Sequence, residues 1–202
     1  MNESRRFQIH WMLWSAAGLA LGLVAALALG APLETVLGAM LVTPALTSIV
    51  GAFLGTSQWV LLRRRLSNAR WWIPASAAGL GLGLTAGVVL VEQIGRAITG
   101  GQVNIRMFDV VTRAGSFALV GLVSGVCLGA AQWLVLRSSS PAARSWFWTS
   151  TLSLCAAFVT GSLAADLVFG GLTAPVGFIA FVVITGLLAG ALTSRPLARL
   201  RM

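Results

Sequence analysis

Six long apolar runs follow one another along this chain of 202 residues, separated by short segments that carry most of the charged side chains. The runs lie near residues 9–29, 37–62, 71–94, 114–136, 147–169 and 175–194. Each is long enough to cross a hydrocarbon core of about 30 Å as a helix. None alternates as a β-strand does, and backbone groups in lipid must pair within their own segment. The pattern predicts an all-α membrane protein with six transmembrane helices.

The overall composition supports lipid as the solvent of this chain. Hydrophobic residues make up 57% and charged residues only 9%, whereas roughly a quarter of a soluble domain is charged. The net charge of +9 would suggest nucleic acid if the basic residues shared one soluble face. All 14 are arginines, however, and most lie in the gaps between apolar runs. We therefore expect the lipid bilayer, and no nucleic acid, as a partner.

The arginines also predict how the chain is oriented. Eleven of the 14 fall on one side of the predicted membrane, and Arg96, Arg106 and Arg113 fall on the other. Because arginine-rich short loops stay in the cytoplasm, both termini are predicted to be cytoplasmic, in a bacterial inner (plasma) membrane. The tryptophans lie at the same ends, where an indole suits the headgroup region, and predict an aromatic belt there. Its members are Trp11, Trp14, Trp59, Trp71, Trp72, Trp133, Trp146 and Trp148.

A motif recurs in the even runs. The second and fourth runs share Gly-x3-Gly-x2-Gln-Trp-x3-Arg, which begins at Gly51 and at Gly125. The sixth run keeps the glycine pair at Gly186 and Gly190 but has Thr193 in place of the glutamine. In the odd runs a tryptophan precedes a weaker glycine pattern. A single domain, 1–202, is therefore predicted to contain three tandem helical hairpins, an arrangement that suits a pseudo-threefold bundle. The hairpins cover approximately residues 8–65, 70–140 and 145–200.

This pattern resembles a group of small bacterial multi-pass membrane proteins that carry G-x3-G-x2-Q-W-x3-R hairpin repeats. The resemblance covers the first two hairpins and weakens in the third, where Thr193 and Ser194 replace Gln-Trp. It supports the predicted topology and implies no activity.

Glycines four residues apart form flat stripes that let two helix backbones approach closely in a membrane. The predicted helix-packing residues are Gly18, Gly22, Gly51, Gly55, Gly79, Gly83, Gly121, Gly125, Gly129, Gly186 and Gly190. Packing within the chain is the plainer interpretation. Contact with a partner subunit or with a bound lipid is the alternative.

Few polar side chains lie in the apolar runs. Gln58 and Gln132 lie about one turn inside the cytoplasmic interface, with Thr193 at the matching position of the sixth run. An amide at this depth needs a partner, so these residues are predicted either to join neighbouring helices by hydrogen bonds or to line a cavity.

Three acidic residues are predicted at the outer ends of odd helices. Glu34, Glu92 and Asp166 each follow a tryptophan by 20 residues. They are candidates for a carboxylate ring around an outer mouth, for pairs with the outer arginines, or for ordinary loop acids. Asp166 is the best candidate for a charge inside the membrane, where a carboxylate costs roughly 2.5–3.5 kcal/mol at mid-bilayer.

The sequence shows no nucleophile–base pair, phosphate-binding loop or Cys/His cluster, so no enzyme, cofactor or metal site is predicted. The leading hypothesis is a non-enzymatic accessory, assembly or lipid-contacting scaffold subunit, with other membrane subunits or further copies of itself as partners. The alternative is a small permease or substrate-binding membrane module for an apolar or amphipathic solute. That alternative predicts a cavity lined by Gln58, Gln132 and Asp166.

Overall fold

The computed structural model describes residues 3–101, 109–138, 143–169, 171–172 and 174–198. Within these ranges the chain forms six helices long and apolar enough to span a membrane, which confirms the predicted fold class. In chain order the helices are α1 (Glu3–Gly38), α2 (Met40–Leu62), α3 (Trp72–Thr99), α4 (Val110–Leu136), α5 (Ala143–Val168) and α6 (Pro175–Ala198). One turn of 3-10 helix, Ala69–Trp71, leads into α3.

The reversal between α1 and α2 is tighter than the apolar pattern predicts. The pattern places a loop between residues 29 and 37, but the helical backbone continues to Gly38 and resumes at Met40. Gly38 has a φ of 73° and a ψ of 165°. Because a side chain strains a backbone with positive φ, a glycine at this position makes the sharp turn possible.

The first turn of α4 is held by a side-chain cap. Asp109 precedes the helix, and its carboxylate accepts hydrogen bonds from the backbone N–H of Thr112 (2.9 Å) and from its hydroxyl (2.8 Å). Both bonds favour the charged carboxylate and lower the pKa of Asp109. The cap satisfies a backbone donor that the helix itself leaves open and fixes where α4 begins.

The six helices form a ring in which each packs against its two neighbours in chain order. The ring closes because Gly186 and Gly190 of α6 lie against Ala16 and Met12 of α1. This contact also places the beginning of α1 and the end of α6 at the same end of the bundle. We call it the tryptophan end, and we call the opposite end, where Gly38 lies, the turn end.

Glycine allows this close packing all around the ring. A Cβ atom at any of the predicted packing glycines would come within 3.0 Å of an atom on an adjacent helix of the same chain. These positions are Gly18, Gly22, Gly51, Gly55, Gly79, Gly83, Gly121, Gly125, Gly129, Gly186 and Gly190. All of these stripes therefore face the chain's own helices, and none of them is available to a partner subunit.

Candidate functional site

Three tryptophans meet on the axis of the ring at its tryptophan end. Trp11, Trp72 and Trp146 come from α1, α3 and α5, and their ring centroids are 5.5–6.4 Å apart. No more than 2% of the surface of each is exposed. Their tilted and edge-to-face contacts are the geometries that aromatic rings prefer. We call this closed layer of three indoles the tryptophan floor.

Each indole of the floor is fixed by a hydrogen bond to the preceding even helix around the ring. The indole N–H groups donate to side-chain oxygens of α2, α4 and α6: Trp72 to Gln58 (2.9 Å), Trp146 to Gln132 (3.2 Å) and Trp11 to Thr193 (3.0 Å). The first two bonds span the same 14 positions along the chain, and the third joins the two ends of the sequence. Together the three bonds join each hairpin to the next and close the circle.

The two glutamines make a second set of bonds with their amide groups. Gln58 Nε2 donates to Ser15 (3.1 Å), and Gln132 Nε2 donates to Ser76 (2.9 Å). Gln132 Nε2 also lies 3.5 Å from the Gln58 side-chain oxygen. Both glutamines are thus engaged in joining helices, which was one of the two roles predicted for them.

The prediction of one aromatic belt with eight members is wrong for Trp11, Trp72 and Trp146. They lie at the predicted end of the bundle, but they face the axis because the glutamines and the threonine accept their N–H groups there. The tryptophans with most exposed surface at this end are Trp14, Trp71 and Trp148, at 41%, 56% and 62%.

The remaining two tryptophans explain the last part of the sequence motif. Arg63 lies over the ring of Trp59, and Arg137 lies over that of Trp133, with 5.4 Å and 5.7 Å between guanidinium carbon and ring centroid. Residues four apart on a helix share a face, so the Trp-x3-Arg spacing sets up this cation–π contact. The contact places a positive charge directly after the end of both α2 and α4.

Beyond the floor, toward the turn end, the ring encloses a cavity of about 450 Å³ to which all six helices contribute. Leu54, Leu80 and Leu154 are at most 5% exposed and form its bottom. Leu27 and Val88 line it as well, but they are 67% and 46% exposed. Both lie 16 residues beyond a floor tryptophan, a helical rise of about 24 Å. The cavity is therefore closed at the tryptophan end and opens toward the turn end.

The cavity lining is almost entirely apolar. Its only polar side chains within the described part of the chain are the hydroxyl-bearing Thr43, Thr47, Ser116 and Thr185. The hydroxyls of Thr47, Ser116 and Thr185 donate to backbone carbonyls, at 2.9, 2.9 and 3.3 Å. Because these hydrogens already have acceptors, the cavity offers a ligand little except aliphatic and aromatic surface.

An aromatic cluster forms one wall of this cavity. Phe117, Phe158 and Phe181 come from α4, α5 and α6, and their ring centroids are 5.2–6.3 Å apart. An enclosed space with such walls does not hold ordered water well, because water there would lack hydrogen-bond partners.

The acidic candidates line neither the large apolar cavity nor the smaller cavity beside the glutamines. Glu34 is exposed, and Glu92 forms an exposed pair with Arg96 (2.5 Å). Asp166 pairs with Arg113 at 2.6 Å, and its side chain is only 5% exposed. Two of the three acids are thus paired with outer arginines, which was one of the three alternatives, and the described residues show no ring of three carboxylates.

The prediction that Asp166 shares a cavity with Gln58 and Gln132 is wrong. Asp166 lies in the last turn of α5, 20 residues beyond Trp146, a rise of about 30 Å. This position is the end of the helix far from its tryptophan, where the sequence predicts it. It also separates Asp166 from Gln58 and Gln132, which line a different, much smaller cavity at the tryptophan end.

The Arg113–Asp166 pair should contribute measurably to stability. We expect Asp166→Asn to lower the free energy of unfolding by about 1.5–3 kcal/mol, because the buried Arg113 guanidinium then faces a neutral amide in place of a carboxylate. Thermal unfolding in detergent followed by circular dichroism measures the change. The control is Glu92→Gln, which breaks an exposed pair and should cost less than about 1 kcal/mol. Equal losses in the two variants would contradict this account.

The sequence contains one further signal for this site. Each floor tryptophan is followed four residues later by a serine, one helical turn away on the same face, at Ser15, Ser76 and Ser150. The residues that line the large cavity had no such signal, because side chains facing the axis and side chains facing lipid are equally apolar.

Comparison of this chain with protein-family models, with curated proteins and with solved structures gave no match. The floor and the cavity above it are therefore the features from which a function can be inferred. They combine a closed polar network at one end with an open apolar chamber at the other.

Proposed function

We propose that this chain is a non-enzymatic, multi-pass membrane protein that binds an apolar molecule, or the apolar part of an amphipathic one, inside its ring of helices. The observation that carries the proposal is the cavity of about 450 Å³, walled by all six helices and closed at the tryptophan end. Its volume lies within the range of about 300–1,000 Å³ typical of small-molecule sites. Its apolar walls give water few hydrogen-bond partners, so the cavity favours an apolar ligand over ordered water.

The direction of access follows from the charge distribution. The excess of arginines at the tryptophan end supports a cytoplasmic location for that end, with both termini inside, in a bacterial plasma membrane. The cavity then opens toward the outer side. A ligand enters from there, and the tryptophan floor separates it from the cytoplasm.

Solvation energies indicate which apolar molecules benefit most from this cavity. A solute taken from water gains about 0.8 kcal/mol for each methylene group buried. A lipid chain already in the bilayer gains little, because lipid tails are as apolar as leucine side chains. The favoured ligand is therefore a small apolar or amphipathic compound that reaches the protein from the outer aqueous phase.

Binding is better supported than the scaffold hypothesis. That hypothesis was motivated by the glycine stripes and by the scarcity of polar residues in the spans, and the stripes pack within the ring. The alternative predicted from the sequence, a solute-binding module, needs an enclosed space between the hairpins. The space lies nearer the turn end than the two glutamines that were expected to line it.

The experiment uses an alkyl-diazirine probe added to the purified protein, with the labelled residues located by peptide mass spectrometry. We expect labelling inside the cavity, including Phe158 and Val120, and its loss in Leu80→Trp, where the indole fills the cavity bottom. The matched control is Leu82→Trp on the same helix, because Leu82 is 66% exposed and does not line the cavity.

Two checks make this result interpretable. Size-exclusion chromatography establishes that each variant is folded. If Leu80→Trp does not fold, Val120→Phe provides a second way to fill the cavity. Labelling confined to outward-facing residues, and unchanged in the filled variants, would show that the cavity binds no apolar ligand.

A further inference from the structure

The tryptophan floor has three sectors, of which two are complete. In the sectors of Gln58 and Gln132, a glutamine accepts from an indole and donates to a serine of the neighbouring odd helix. In the third sector Thr193 accepts from Trp11 but carries no amide. The serine that an amide would reach there is Ser150. Its hydroxyl is buried and has no hydrogen-bond partner within the described ranges.

A small cavity of about 30 Å³ lies beside this incomplete sector. It exists because α6 carries small side chains, Ala189 and Thr193, at positions where α2 carries Leu54 and Gln58. A space of more than about 10–15 Å³ can hold a water molecule if polar groups surround it. This one is lined by five polar side chains, those of Ser15, Gln58, Gln132, Ser150 and Thr193.

The hydrogen-bonding groups left over around this cavity match the needs of one water molecule. Ser150 can donate its hydroxyl hydrogen, and Gln58 Nε2 keeps a second N–H after donating one to a serine. Thr193 Oγ1 donates to its own helix and accepts from an indole, which leaves one lone pair. Gln132 Oε1 also keeps a lone pair after accepting from an indole.

We infer that a single buried water molecule occupies this cavity and completes the third sector of the floor. The water accepts hydrogen bonds from Ser150 and Gln58 and donates to Thr193 and Gln132, so both of its hydrogens and both of its lone pairs have partners. The water does in this sector what a side-chain amide does in the other two. Two sectors of the floor are then held by side-chain hydrogen bonds alone, and the third is held in part by an exchangeable water molecule.

The test is a high-resolution structure, with thermal unfolding, of wild type and Thr193→Gln. We expect wild type to show density within hydrogen-bonding distance of Ser150 and Thr193. In Thr193→Gln the new amide should displace this water and bond to Ser150 directly. The melting temperature should rise by about 2–4 °C, because a direct bond no longer requires a water molecule to be immobilised.

Two further variants complete the test. Thr56→Gln makes the same exchange at an exposed position of α2 and should leave the melting temperature unchanged. Ser150→Ala removes one of the four partners and should lower the occupancy of the water, which keeps the inference testable if Thr193→Gln does not fold. An empty cavity in a wild-type structure that shows other buried waters would overturn the inference. So would a water that remains in place in Thr193→Gln.

Discussion

Replacing Trp72 with alanine should lower the free energy of unfolding by about 3–5 kcal/mol, the range measured for removing a large buried aromatic side chain. Trp72 has no exposed surface, and its ring contacts both other indoles of the floor, at centroid distances of 6.4 and 5.5 Å. The substitution also removes the donor that Gln58 accepts from. Chemical unfolding in detergent followed by circular dichroism provides the measurement.

The adjacent tryptophan offers a matched control. Trp71 is 56% exposed, and its ring has Arg70 over it at 5.8 Å. Trp71→Ala should therefore cost only about 0.5–1 kcal/mol, the value of an exposed cation–π contact. If the two variants were equally destabilised, Trp72 would be an interface residue like its neighbour, and the floor would not exist as described.

The second large effect is expected at Gly125. A Cβ atom there would lie 2.7 Å from the Cα and the carbonyl oxygen of Thr151 on α5. These are backbone atoms that cannot rotate away, so the two helices must separate. We expect Gly125→Ala to lower the free energy of unfolding by about 1–3 kcal/mol, measured by the same unfolding experiment.

Gly115, on the same helix, provides the comparison. No atom lies within 4 Å of the position that its Cβ would occupy. Gly115→Ala should therefore not destabilise the protein, and it gains up to about 1 kcal/mol because alanine favours the helix over glycine. A loss at Gly115 as large as the loss at Gly125 would mean that helix flexibility, and not close packing, explains the need for glycine.

The number of spans could be predicted from the sequence because an uncharged apolar run of sufficient length has few alternatives to crossing a bilayer. The ends of the helices could not. Hydropathy indicates where the lipid region begins. A helix can extend beyond that point, because its backbone hydrogen bonds form in the polar region as well. This is why α3 extends to Thr99 and α4 begins at Val110, beyond the apolar runs in both cases.

The floor could not be predicted from hydropathy for a different reason. Trp71 and Trp72 lie at the same depth, but successive residues of a helix point about 100° apart, so one faces outward and the other faces the axis. Lipid and protein interior are both apolar, and composition does not distinguish them. The glutamines distinguish the two environments, because the 14-residue separation of Gln58 and Trp72 recurs between Gln132 and Trp146.

In the third sector, the hydrogen bond between the indole and its acceptor has no local sequence signal. Its acceptor, Thr193, lies 182 positions from Trp11 in the chain, and a threonine in an apolar run usually satisfies its hydroxyl within its own helix. The difference between this sector and the other two appears in the sequence only as a departure from the motif. Its consequence, a buried serine beside a small polar space, requires the three-dimensional arrangement.

The bond between Trp11 and Thr193 has a consequence for biogenesis. Chains are synthesised from the N-terminus, so α1 enters the membrane long before the helix that supplies its acceptor. Until α6 arrives, the Trp11 indole lacks this bond, and the α1 surface that receives Gly186 and Gly190 stays uncovered. A prematurely terminated product that lacks α6 therefore differs from the finished one by an open contact surface on α1 and an indole N–H without its acceptor.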